Sequence, residues 1–320
     1  MRLGRSGASA RPEARRAWCT AGFKRAARVV QALALLLLVS AGPVRAQAMR
    51  NVEHRARLDA HGDLRVWNLS GSIRVTGWDK DSILVRGQVP ADQHFGCGGD
   101  PGGFKCFVDL APRYDGIAPG STLEIFVPRT IQLWVKSGSA DIVINNFNGN
   151  LDAYSVSGRI QVQGQAQTLA LESMSGRLTI LATATTLRAK TAGGAINITG
   201  DVDDAQVTSV SGSITVANAQ VQRGRFESIG GNTTWRGSLM KGASLEFSSH
   251  SGAIELLLPG TSGGHVAVNN FAGEVHSEFA TDQLSARETK AQELSVMLPG
   301  KGDARIVIRN FKGPVRLLKQ

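Results

Sequence analysis

The sequence predicts an all-β fold, a parallel β-solenoid with a flattened two-sheet coil and about 18–21 residues per rung. Three observations carry this. A four-residue phrase, hydroxyl residue, any residue, small residue, glycine, recurs at Ser155 to Gly158, Ser173 to Gly176, Thr191 to Gly194, Ser209 to Gly212, Ser228 to Gly231 and Ser249 to Gly252, at spacings of 18, 18, 18, 19 and 21 residues. Apolar residues stand two and four places after the glycine, as at Ile160 and Val162, Ile196 and Ile198, or Ile254 and Leu256. A weaker alternation precedes the phrase, as at Leu169 and Leu171 or Leu245 and Phe247. Period-two alternation marks strands with one buried face.

A unit this short cannot bury its apolar face alone, so units must stack, each strand pairing with its equivalent in the next coil. Successive coils then lie about 4.8 Å apart. Parallel crossovers favour right-handed coiling. A propeller would show a doubled period, which is absent, and a sandwich of antiparallel hairpins would not require constant spacing.

Taken in order, residues 1–48 read as a secretory signal peptide. Basic residues from Arg2 to Arg28 precede the apolar run Val29 to Val39, and Ala46-Gln47-Ala48 resembles a cleavage site. The run is short for a transmembrane helix, so no spanning segment is expected after cleavage. Residues 49–320 are expected to form a single solenoid domain.

The leader also biases the charge. It holds nine of the 36 basic and one of the 26 acidic residues, leaving 27 and 25, a formal net charge of +2. Without a basic excess, nucleic acid is not an expected partner.

The repeat phrase first appears around Gly71, followed by Ile73, Val75 and Gly77. Residues 90–120, rich in proline and glycine, break the pattern and read as a loop insertion stapled by a Cys97–Cys106 disulfide, the default for two cysteines in an exported chain. Long loops on rigid scaffolds often carry function.

The small-residue turns Gly71, Gly138, Gly158, Gly176, Gly194, Gly212, Gly231 and Gly252 form the turn series. Six places after a marker glycine, Gly164, Gly200, Asn218 and Gly237 are expected to close strands at positive φ. A second echo, Asn-Phe-x-Gly, ends three strand pairs at Asn146-Phe147 and Gly149, Asn270-Phe271 and Gly273, and Asn310-Phe311 and Gly313. It reads as a structural corner with asparagine in the turn and phenylalanine plugging the core beneath. Residues 290–320 are expected to form the C-terminal cap.

Candidate chemistry is sparse. The six histidines are dispersed without metal-ligand spacing, and the cluster Asp201, Asp203 and Asp204 is not repeated in neighbouring coils as a calcium array would be. No metal or cofactor is expected. The repeated serines suit a hydroxyl ladder serving turn backbone rather than a nucleophile, which would be unique. Trp235 falls at an inward position and reads first as core; turned outward, it would be a sugar-stacking ligand contact. Trp67, Trp78 and Trp134 admit the same two readings.

The Ser-Gly-x-Ile-x-Val and Leu-Pro-x-Gly phrases behind a signal peptide resemble a bacterial envelope family described as putative adhesins, built on a β-strand-repeat domain of unknown function. The resemblance covers roughly residues 60–318. It implies a solenoid-like fold and an envelope location, and supplies no catalytic residues. Together these readings point to a non-enzymatic exported protein of the periplasm or outer cell surface, a binding or structural scaffold whose partner is an envelope component or surface glycan. The alternatives are a β-helix carbohydrate-active enzyme, a polysaccharide lyase or hydrolase, which would need paired carboxylates in a cleft, and a periplasmic envelope-stress or signalling module.

Overall fold

Alternating burial runs through nearly every strand, and it builds the architecture directly. The computed structural model describes residues 48–109, 120–283 and 292–320; the expected leader, apart from Ala48, and residues 110–119 of the insertion lie outside them. The described residues hold 25 strands and no helix, joined in one continuous sheet that winds as a β-solenoid. Within each central coil the strand before the marker phrase lies in one ladder, here sheet I, and the strand after it in a second, sheet II. Leu187 and Ala189 point inward from sheet I, Ile196 and Ile198 from sheet II, and all four are buried.

The central coils stack parallel and in register: residues 150–155 pair with 168–173, these with 186–191, and these with Val202–Ser209. The marker serines stack too, forming a buried hydroxyl ladder along the corner between the sheets. Ser209 Oγ donates to the Gly212 carbonyl at 2.7 Å, whereas Ser173 Oγ accepts from the Gly176 N–H at 2.9 Å. Either way a turn group buried away from water finds a partner.

Apart from Gly71, which lies at φ 104°, the marker glycines are required for a reason other than φ. A Cβ on Gly231 would stand 2.0 Å from the Gly212 carbonyl oxygen, and one on Gly252 2.0 Å from that of Gly231. Backbone therefore packs on backbone from coil to coil. Gly138 stands apart from this series, because Ala140 takes the marker place and Gly138 the middle one, where it is half-buried against Leu69. The strand-closing positions do use positive φ, at Gly164, Gly200, Gly237 and Asn218.

Coil order departs from chain order at both ends. Asp63–Asn68 and Gly71–Trp78 lie inside the stack, flanked by Gly103–Asp109 and Ser121–Pro128 on one side and by Gln132–Ser137 and Asp141–Phe147 on the other. Antiparallel strands Met49–Arg57, Ser82–Pro90 and His94–Asp100 finish that end. At the other end the expected cap divides. Gln292–Pro299 extends sheet I antiparallel to Gly263–Asn270 and is itself flanked, on its other edge, by the short antiparallel strand Thr281–Gln283. Ala304–Asn310 and Val315–Lys319, however, insert between the coil of residues 244–258 and that of residues 263–277.

The insertion is correspondingly more ordered than a loop. His94–Asp100 and Gly103–Asp109 form a hairpin whose second strand extends sheet I, and Cys97 and Cys106, directly opposite, are disulfide-bonded.

The Asn-Phe-x-Gly echo splits into two kinds of corner. Asn146 adopts φ 54° and Phe147 is buried, as the plug reading requires. Asn310 pairs with Ser249, and Asn270 with Asn310, so these asparagines are marker residues in the hydroxyl ladder. Asn310 Nδ2 donates to the Gly313 carbonyl at 2.8 Å. Phe271 and Phe311 then occupy the middle position of the phrase and point outward, 44 % and 38 % exposed, which corrects the plug reading for both.

Candidate functional site

Where sheet I nears its N-terminal end, strand alternation turns an unusual set of side chains outward. In Asp63–Asn68, Leu64 and Val66 enter the core, leaving Asp63, Arg65 and Trp67 on the surface. The neighbouring strands add Lys105 and Phe107 on one side and Trp134 and Lys136 on the other. The register sets Trp67 beside Phe107 and Lys136, and Arg65 beside Lys105 and Trp134, and along each strand a cation and a ring alternate. Arg65, Trp67, Lys105, Trp134 and Lys136 border a shallow depression of about 460 Å³.

The contacts fix the rings. The Arg65 guanidinium lies 5.0 Å from the Trp134 ring centre, and the Lys105 ammonium 5.4 Å from that of Phe107. Cations over ring faces are attracted by the π quadrupole. Arg65 also reaches Asp63 at 3.6 Å. The disulfide serves this face: Cys106 sits in the core between Lys105 and Phe107, pinning the strand that supplies both. Across the hairpin Gly96 leaves room for the Phe107 ring, which an added Cβ would meet at 2.5 Å.

The tryptophans thus part company. Trp67, 39 % exposed, and Trp134 form the outward platform. Trp78 anchors a sheet II corner, its indole N–H donating to the Ser82 carbonyl at 2.9 Å and its ring 5.5 Å from Phe126. Trp235 is 1 % exposed, with its ring edge-on to both Phe226 and Phe247, so it is core and not a ligand contact. Phe107 and Lys105 escaped the sequence reading because they lie in the insertion, outside the repeat.

A second feature lies on the corner between the sheets. The middle residue of each marker phrase projects to solvent, and Val156, Met174, Val210 and Ile229 stand in line there. Sequence reasoning missed this row; the signal was an apolar residue recurring once per coil at a turn.

Elsewhere the surface carries paired charges of both signs, with Leu181 and Met297 as scattered exposed apolar residues. Arg223 pairs with Asp204, while Arg225 and Arg309 both pair with Glu246. The Arg159 guanidinium, bonded to Asp141, holds that carboxyl below its ordinary value. A glycosidic general acid needs the opposite shift. Among the described residues no group of three His, Cys, Asp or Glu side chains could hold a metal ion, and no helix is long and apolar enough to cross a membrane.

Residues 181–317 match the family model described as Toastrack DUF4097, a domain of unknown function. No curated protein matches the sequence. Among solved structures, a putative adhesin from Parabacteroides merdae is 10 % identical with a TM-score of 0.48, covering 83 % of this chain and 96 % of that one. A putative lipid binding protein from Parabacteroides distasonis is 11 % identical with a TM-score of 0.48 over 84 % and 97 %. A putative adhesin from Bacteroides fragilis is 12 % identical with a TM-score of 0.45 over 84 % and 97 %.

Proposed function

We propose that this protein is a non-enzymatic scaffold of the bacterial cell envelope that binds an acidic surface glycan on the outward face of sheet I. The observation that carries the reading is the alternation of Trp67, Trp134 and Phe107 with Arg65, Lys105 and Lys136 on one rigid ladder. Sugar rings stack their C–H faces on aromatic surfaces, and carboxylate or sulfate substituents pair with the intervening cations. Strands hold such groups with little rotamer freedom to lose, so a flat site can bind without a deep cleft. The hydroxyl ladder and glycine packing keep the platform straight.

The test is titration of the purified chain with a uronic-acid polysaccharide and a neutral polymer of similar length. Binding to the acidic polymer is expected to weaken with salt and to fall roughly tenfold or more in a Trp67→Ala, Trp134→Ala variant, since each stacked ring contributes about 0.5–1.5 kcal/mol. Equal affinity of parent and variant for both polymers rejects the reading.

A further inference from the structure

We propose that the corner lined by Val156, Met174, Val210, Ile229, Phe311 and Phe271 is a bilayer-seating edge, on which the solenoid lies lengthwise against a lipid surface. These six side chains are 38–55 % exposed although apolar. The backbone keeps them in file. The Gly230 N–H donates to the Val210 carbonyl at 2.7 Å, the Ser251 N–H to Ile229 at 2.8 Å and the Ala272 N–H to Phe311 at 2.8 Å, so ladder bonding continues around the turn. Successive places therefore lie about 4.8 Å apart, the strand spacing, with Ala192 between Met174 and Val210 and His250 between Ile229 and Phe311.

The row is organised at one end as well. His250 and Phe311 stack at 4.9 Å between ring centres, and Phe311 and Phe271 at 4.9 Å, giving a three-ring pile that faces solvent. Isolated apolar residues on a surface are ordinary, but a contiguous aligned set marks an interaction site.

Shape and charge choose the occupant. The row is a narrow convex edge, and a second copy would offer the same convex edge, so two copies meet along a line and bury little. A folded partner would need a straight groove several coils long. A bilayer yields to a line of side chains, takes apolar groups into its interfacial region and receives rings at the headgroup level. The middle residue and its successor in each of these phrases include no carboxylate, and Lys312 supplies a cation over the Phe311 ring at 5.8 Å. Arg177 flanks the row on the sheet II side, whereas on the sheet I side Lys190 is in register with Glu172. Lys312 and Arg177 are the cations that suit anionic headgroups.

The experiment is flotation of the purified full chain with vesicles of phosphatidylglycerol and phosphatidylethanolamine, and with phosphatidylcholine alone. The variant carries Met174→Ser, Val210→Ser, Ile229→Ser and Phe311→Ser; the control is Met297→Ser, an exposed residue off the row. All chains share the same N-terminal segment, so only the difference between them is read. The expected result is a roughly tenfold loss of bound fraction in the row variant, none in the control, and tighter binding to the anionic vesicles. In a separate Ile229→Trp chain, the emission added by the new indole should be quenched by brominated lipid. Equal flotation of variant and parent overturns the proposal, as does added emission that brominated lipid leaves unquenched. A concentration-dependent dimer abolished by the same serines, with flotation unchanged, makes the edge a self-interface instead.

Discussion

Ser249 and Asn310 stand opposite one another in register on adjacent strands, each at the first place of a marker phrase. Asn310 Nδ2 reaches back to the Gly252 carbonyl at 3.2 Å as well as to its own Gly313, so the C-terminal coil is bonded between two coils that precede it in the chain. In a strictly sequential solenoid, removing the last coil merely shortens the rod. Here, deleting residues 301–320 takes out the coil that joins residues 263–277 to the rest. Residues 263–299 should then lose hydrogen-exchange protection along with the deleted coil's neighbours. Unchanged protection there would contradict the interleaved order.

The marker glycines give a sharper test. Gly231→Ala places a methyl group 2.0 Å from a carbonyl oxygen, and neither strand can retreat without breaking the ladder. A loss of about 2–4 kcal/mol in urea unfolding is expected. Gly193→Ala, at the exposed third place of its phrase, meets nothing closer than 3.8 Å. That change should be neutral or add up to about 1 kcal/mol by restricting the unfolded chain. Equal costs at the two positions would refute the close-approach account.

The coil itself was legible because its physics is periodic. Inward pairs such as Ile196 and Ile198 recur at fixed spacing, and the turn chemistry at Gly200 and Asn218 follows from backbone conformation alone. Coil order at the ends was not legible, because every strand of the repeat presents the same pattern and so matches every other. Ser249 and Asn310 differ in side chain while doing the same work, which hid the Asn-Phe-x-Gly corners inside the marker series. The aromatic face was hidden for a related reason. Phe107, Trp67 and Trp134 come from three separated segments that meet only because Asp63–Asn68 is interleaved between the other two.

Core and surface tryptophans should behave oppositely on substitution. Trp235→Ala empties the space beside Phe226 and Phe247, which stack on one another at 5.0 Å, and should cost about 3–5 kcal/mol. Once folded, that variant should retain parental glycan affinity. Trp134→Ala, on the partly exposed face, should cost far less stability yet weaken glycan binding. Thermal unfolding and titration on the same two proteins separate these effects, and a Trp235→Ala chain that folds well but fails to bind would contradict the assignment.

The pH dependence follows from Asp141. The Arg159 side chain bonds its carboxylate at 2.7 Å, and the Arg159 N–H donates to its other oxygen at 2.9 Å. Together these outweigh partial burial and lower its pKa from 3.8. A depressed folded-state pKa means that the contribution is present above the unfolded value and is lost as pH falls through the folded one. Asp141→Asn should therefore be less stable than the parent at neutral pH, with the gap closing below about pH 4. The effect should be small and should shrink in salt, since the Asp141 and Arg159 side chains are 36 % and 73 % exposed. Chemical denaturation of both proteins across about pH 2–7 reads it directly. A gap that widened on acidification would mean that Asp141 stabilises the coil through its protonated form, contrary to the geometry of its bonds to Arg159.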